Sequence, residues 1–382
     1  MGAAGLSNLV QERPAGTQTT SGGAPRDLRI DFLRGFFILH LCATHFTWFA
    51  DLVGYDSPFK FYGLPSFGLS SPAEFFVFFS GYVMVLVLGR SFDKAGFLLT
   101  QARTIDRAWS LYVLNLFTFV IVAAGSGFLF DPQTRLFVAS GMGRLLADPS
   151  RFILDFVTFR DNLAFFEILR NYIFFIPLIA LFLVLARVKP WLPIALSGLV
   201  WLAHQLGMTA RLDYPTFNPF GWQFLFFLGG TVALTKPLTT WTFPRPVRQL
   251  ALCLALLAFI LLMKLVLFPG VQSENVPFAS KTDVGPLRML HFGLVLYTAM
   301  LLVPASAWLQ RFMLTRAVIG VGQTSLECFC LSSVLVYLGA HLLGHAPESA
   351  ALYWGLLVGM LVIELFAGRL FGWFKREPWR VR

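Results

Sequence analysis

The stretch IDFLRGFFILHLCATHFTWFA, Ile30 to Ala50, decides how the whole chain is read. As an α-helix rising about 1.5 Å per residue it is about 30 Å long, the thickness of a bilayer's hydrocarbon core. Apolar runs of similar character recur at 72–89, 108–127, 163–186, 191–206, 219–235, 248–268, 287–308, 318–342 and 351–372. Composition agrees. Of the 382 residues, 57% are hydrophobic and only 13% charged, about half the charged fraction of a soluble domain. The fold class expected is all-α: a polytopic membrane protein, a bundle of about ten transmembrane helices with both termini cytoplasmic.

Counting basic residues sets the orientation. With the N-terminal tail inside, nineteen Lys and Arg fall on cytoplasmic segments. Eight fall on outer loops: Lys60, Arg135, Arg144, Arg151, Arg160, Arg211, Lys281 and Arg288. That asymmetry follows the positive-inside rule. The net charge of +10 therefore reflects topology and not nucleic-acid binding. Residues 1–25, rich in Gly, Ala, Ser, Thr and Gln, read as a disordered cytoplasmic tail. Residues 26–374 form the transmembrane domain and 375–382 a basic cytoplasmic tail. The outer loop 128–162 is expected to carry a short amphipathic helix. Cys42, Cys253, Cys328 and Cys330 lie in apolar runs without metal-ligand spacing, so neither a disulfide framework nor a metal site is indicated.

The first span is the unusual one. It contains Arg34, His40 and His45, and ionisable residues inside a span are costly and usually functional. Arg34 and His45 are 11 residues apart. At about 100° per residue they share a face within about 20° and are separated by about 16 Å along the axis. His40 projects about 120° away and reads as a packing residue. Gly35 reads as a helix-packing glycine.

The segment RDLRIDFLRGFFILHLCATHF (26–46) resembles the first helix of the OpgC family, within a membrane acyltransferase superfamily that carries an Arg-x10-His pattern there. SSPAEFFVFFSGYV (70–83), RAWSLYV (107–113), FNPFGWQFLFFLG (217–229), GPLRMLHF (285–292) and GQTSLECFC (322–330) resemble further OpgC segments in the same order. The resemblance implies an O-acyltransferase of the bacterial inner membrane. Such an enzyme moves succinyl groups from cytoplasmic succinyl-CoA to osmoregulated periplasmic glucans.

On that footing the residues take provisional roles. His45 is the expected general base for a sugar hydroxyl, with a covalent acyl-histidine as the less favoured route. A carboxylate should steady its imidazolium. The resemblance favours Glu74, which also reads as the closing residue of a capping box with Ser71 and Pro72. Asp51 is the second choice. Arg34, Arg103 and Arg107 are expected to bind the phosphates of coenzyme A, although the last two also serve as topology-setting charge. The second carboxylate of a succinyl group needs a cation or hydrogen bonds; Arg288, His291 and Arg170 are the candidates. Arg170 lies in EILRNY (167–172), which lacks a proline that OpgC-like chains tend to carry and where Glu167 and Arg170 are spaced to pair. Asn218, Trp222 and Gln223 are candidates for the glucan, or else mark a loop-to-helix junction. His204, His341 and His345 are read as structural. Ten spans with buried charge also suit a transporter or flippase, and an acetyl-CoA donor or a surface polysaccharide acceptor would leave the same residues in use.

Overall fold

The computed structural model describes residues 27–56, 68–129, 137, 140–160, 163–164, 166–209, 216–304 and 306–376. The tail 1–25 and most of 375–382 lie outside the described residues. The main helices are α1 (Leu28–Leu52), α2 (Pro72–Leu129), α3 (Glu167–Phe175), α4 (Ile179–Val188), α5 (Leu192–Gln205), α6 (Pro219–Thr235), α7 (Pro246–Leu267), α8 (Pro286–Leu302), α9 (Met313–Gln323), α10 (Ser325–Gly344) and α11 (Ala350–Lys375). No strand occurs among the described residues, and the fold is all-α. Five helical stretches are long and apolar enough to cross a membrane, namely Pro72–Phe128, Glu167–Val188, Pro246–Leu267, Ser325–Gly344 and Ala350–Lys375; α5 and α8 are shorter and apolar. Leu252, Leu256, Phe259 and Leu262 on α7 are exposed, as on a face meant for lipid.

Local chemistry starts these helices. Asp27 caps α1, accepting from the Arg29 N–H at 3.0 Å. Pro219, Pro246 and Pro286 each sit in the first turn of a helix, where the missing N–H costs nothing. Ser349 caps α11 by accepting from the Leu352 N–H.

Four expected boundaries differ, the simplest being the span expected at 287–308, which ends as α8 at Leu302 ahead of a separate short helix, Ser306–Leu309. The spans expected at 72–89 and 108–127 are arms of one helical stretch, interrupted only at Gly96, where φ is 73° and ψ −170°. The charged residues between the arms extend the helix instead of ending it, and glycine alone takes that backbone cheaply. The span expected at 163–186 begins at Glu167 and passes through a 3-10 turn, Ile176–Leu178, at Pro177. The run expected at 318–342 is two helices, α9 and α10, parted at Thr324 (φ −119°, ψ 35°). The loop 128–162 contains helices Met142–Ala147 and Pro149–Val157. The second turns Phe152 and Phe156 inward, with Phe156 stacked 4.0 Å from Phe119.

Helix α1 occupies the centre, packed against α2, α9, α10 and α11. Its approach to α9 is backbone to backbone: a Cβ at Gly35 would collide with the Val318 carbonyl, and one at Gly322 with the Asp31 carbonyl. Small residues let helices approach this closely in a membrane. Helices α2 and α6 use the same device at Gly81 and Gly229. Aromatic rings fill the rest of the core, including Phe37 stacked 4.1 Å from Phe75.

Candidate functional site

Because α1 is unbroken from Leu28 to Leu52, Arg34 and His45 keep their shared face. The Arg34 guanidinium turns into the bundle, where Nη2 donates to Ser325 Oγ at 2.6 Å. Its charge also acts on Tyr172 of α3. An arginine held by the first residue of α10 and facing α3 is an interior group, not one drawn out to headgroups. His40 is half-buried and stacks over Phe36 at 6.2 Å.

The starts of α2 and α8 meet beside α1, where Phe75 stacks on Phe37. Glu74 and Arg288, 0% and 1% exposed, form an ion pair: Arg288 Nη1 donates to Glu74 Oε1 at 2.6 Å. Arg288 Nε donates to the Ala279 carbonyl at 2.9 Å. The other Glu74 oxygen accepts from the Ser71 N–H at 2.8 Å and the Ser71 hydroxyl at 2.5 Å. The capping box is thus real, with the serine hydroxyl turned onto the carboxylate. A carboxylate offers about four acceptor sites, and these bonds occupy three of them. Glu74 is committed to the start of α2 and to Arg288. Asp51, six residues beyond His45, is rotated about 120° from it around α1. Its charge acts on Tyr353 of α11, whose hydroxyl bonds Thr47 at 2.8 Å.

His291, buried at 3% exposure, stands one turn from Arg288. Its Nδ1 lies 3.2 Å from the Ser70 N–H and 2.7 Å from the Ser70 hydroxyl. A backbone N–H can only donate, so Nδ1 accepts and a neutral ring carries its proton on Nε2. The ring fills the place a side chain at Gly68 would take.

The three residues of FNPFGWQ act as a scaffold. Asn218 caps α6, accepting from the Phe220 N–H at 3.0 Å, while its own N–H donates to the Thr282 carbonyl at 2.9 Å. Trp222, fully buried, donates Nε1–H to the carbonyls of Lys281 and Thr282 at 3.0 and 3.2 Å. Gln223 exchanges bonds with Ser197, receiving its hydroxyl and donating to its carbonyl at 2.9 Å. Trp222 thus presents no open aromatic face to a sugar, and the junction reading describes all three. Arg170 is 2% exposed within α3, beside Asn171, which donates to the Phe217 carbonyl at 3.1 Å. Arg103 and Arg107 are exposed on the second arm of α2, remote along the chain from this cluster, with Arg103 bonded to Ser91. His204 bonds Asp283 at 2.9 Å and Thr209 at 2.7 Å. His341 and His345 pack on each other at 4.3 Å.

Two groups carry chemistry that the sequence reading passed over. Lys281, in the loop before α8, acts electrostatically on His45 and feels Glu74, Arg288, Glu274 and Glu167. Burial pushes its ammonium below the ordinary lysine range, against the opposing pull of Glu74 and with the push of Arg288. In the sequence it was one more loop charge. Glu364 is 0% exposed on α11 and approaches Cys328. A lone carboxylate in VGMLVIELFAG was the signal for it.

The fold and this buried polar cluster beside a central helix define an all-α membrane protein with an interior site. The OpgC protein family matches residues 26–376, and the chain belongs to that family. Membership supports a membrane acyltransferase role in glucan modification. No individual curated protein matches the chain.

Proposed function

We propose that this protein transfers a succinyl group from cytoplasmic succinyl-CoA to a hydroxyl of osmoregulated periplasmic glucans across the bacterial inner membrane. The observation that carries the reading is the unbroken α1, with Arg34 turned inward and His45 on the same face, about 16 Å apart along the axis. A donor bound from inside and an acceptor bound from outside need such an axis.

His45 is the base. It takes the hydroxyl proton as the sugar oxygen attacks the thioester carbonyl. The oxyanion collapses, the C–S bond breaks, and coenzyme A leaves as a thiolate that takes the proton back from the imidazolium. Glu74 steadies the positive imidazolium through its field, and Asp51 is the alternative carboxylate. Arg34, Arg103 and Arg107 receive the donor's phosphates, for which an arginine fork is suited. Arg288 and His291 shape the acyl end from the start of α8, with Arg170 facing it from α3. Asn218, Trp222 and Gln223 hold the outer loop that borders the acceptor.

The test is compositional. Periplasmic glucans from cells lacking the protein should lose an anionic substituent of succinyl mass. The intact chain should restore it; the His45→Ala chain should not. Unchanged glucans with an altered surface polysaccharide would assign a different acceptor, and unchanged acylation of every polysaccharide would favour transport.

A further inference from the structure

Lys281 is held by a loop built to hold it. The carbonyls of Lys281 and Thr282 take the Trp222 indole N–H, and the Thr282 carbonyl also takes the Asn218 N–H. The Asp283 carbonyl accepts from Gln205 Nε2 at 2.7 Å, and the Asp283 carboxylate accepts from Ser280 and meets His204. A Cβ at Gly221 would collide with the Asp283 backbone. Lysine is usually found on mobile ground; here its backbone is anchored to α5 and α6 on both sides.

The ammonium at the end of that anchored backbone feels carboxylates at a distance without closing an ion pair to one among the described residues. Its contact is the Phe217 ring, 5.4 Å from Nζ. The neighbouring cation is different: Arg288 is matched by Glu74 at 2.6 Å. A half-buried ammonium resting on an aromatic face is partly stripped of water, and in its protonated form it offers an unpaired charge to an incoming anion. Its charge is felt at His45, so that anion would lie beside the acyl-transfer centre. A succinyl group has its free carboxylate about 4–5 Å from its reacting carbonyl at ordinary C–C lengths. An acetyl group has none.

We infer that Lys281 binds the free carboxylate of a dicarboxylic acyl group and so sets the preference for a succinyl over a neutral acyl donor, an assignment that rests on the acyl-transfer reading above. Arg288, already paired, supports the site instead of supplying this contact. A site built to pair a charged group rejects the analogue that lacks it, since the site's own charge is then left unmatched.

The experiment uses the full chain in proteoliposomes, with succinyl-CoA and butyryl-CoA as donors of equal chain length. Lys281→Met should lower kcat/KM for succinyl-CoA at least tenfold more than for butyryl-CoA, with the differential loss chiefly in KM; Lys281→Arg should keep most of the preference. Equal losses with both donors, or an unaltered ratio, would overturn the assignment. A measurement on the wild type needs no variant to fold: succinamoyl-CoA, the amide of the donor carboxylate, should be at least tenfold poorer than succinyl-CoA, and equal use would overturn it. A wild type that rejects succinyl-CoA and uses a neutral donor sinks the succinyl reading itself, and Lys281's ligand with it. A wild type that prefers succinyl-CoA while Lys281→Met retains that preference sinks Lys281 alone.

Discussion

The Glu74–Arg288 pair joins the starts of α2 and α8 with almost no exposure, and its removal has a calculable signature. Glu74→Gln is the informative change, because glutamine preserves the side chain's size and still closes a capping box. What disappears is the charge opposite Arg288. Removing one partner of a buried pair leaves an uncompensated charge and costs about 3–5 kcal/mol. Arg288→Met should cost a similar amount and in addition frees the Ala279 carbonyl, which accepts from Arg288 Nε, at about 1–3 kcal/mol for an orphaned buried acceptor. The double variant leaves neither charge stranded, so it should lose much less than the sum of the singles, with a coupling of at least 2 kcal/mol, at the upper part of the range for contacting residues. Reversible unfolding of the detergent-solubilised protein, with all four chains measured under the same conditions, gives the cycle. A Glu74→Gln loss below about 0.5 kcal/mol, or a double variant equal to the sum of the singles, would refute the claim that this pair is a buried, mutually dependent unit.

Other outcomes follow from the same geometry. Gly35→Leu forces a side chain onto the α9 backbone at Val318 and should cost about 1–3 kcal/mol or more, read as a lowered melting temperature. Arg103→Glu or Arg107→Glu should raise KM for the coenzyme A donor with kcat retained; an unchanged KM would leave both arginines as topological charge only. Lys281 binds a carboxylate only while protonated, and burial lowers its proton affinity among Glu74, Arg288, Glu274 and Glu167. Succinyl-donor binding should therefore be intact at low pH and weaken as pH rises, starting below the region of about 10.4 where an ordinary lysine titrates. The neutral donor should show no such rise in KM, nor should Lys281→Arg, and a wild-type KM flat to pH 10 or above would contradict it.

Much of the fold was legible because membrane helices are written in long apolar runs, and because Ser71, Pro72 and Glu74 spell a helix start that the structure contains. What was not legible was continuity. Arg90, Asp93, Lys94 and Arg103 read as a loop, yet charged residues are good helix formers, and only the positive φ of Gly96 interrupts the run. The break at Thr324 had no such mark, since it depends on how α9 lies against α1 at Gly35 and Gly322. The site shows the same division. Arg34 and His45 were found together because one helix carries both, and periodicity alone relates their faces. Glu74 and Arg288 were each singled out, but their pairing joins residues 214 positions apart, which no local pattern records. Lys281 was invisible for a similar reason: its neighbours come from α1, α2, α6 and α8, and the loop that fixes it is pinned by an indole N–H from elsewhere in the chain. Trp222 looked like a sugar platform only until that bond was seen.

If α1 carries a donor-to-acceptor axis ending at His45, acyl transfer must run across the membrane and depend on that imidazole. The most direct measurement places the full chain in sealed proteoliposomes with glucan inside and radiolabelled succinyl-CoA outside, and follows label into the enclosed glucan. Label should appear on the glucan with the wild type, and the rate should fall at least a hundredfold with a folded His45→Ala chain, as removal of a general base requires (about 10²–10⁴-fold). Transfer by His45→Ala at the wild-type rate would contradict it.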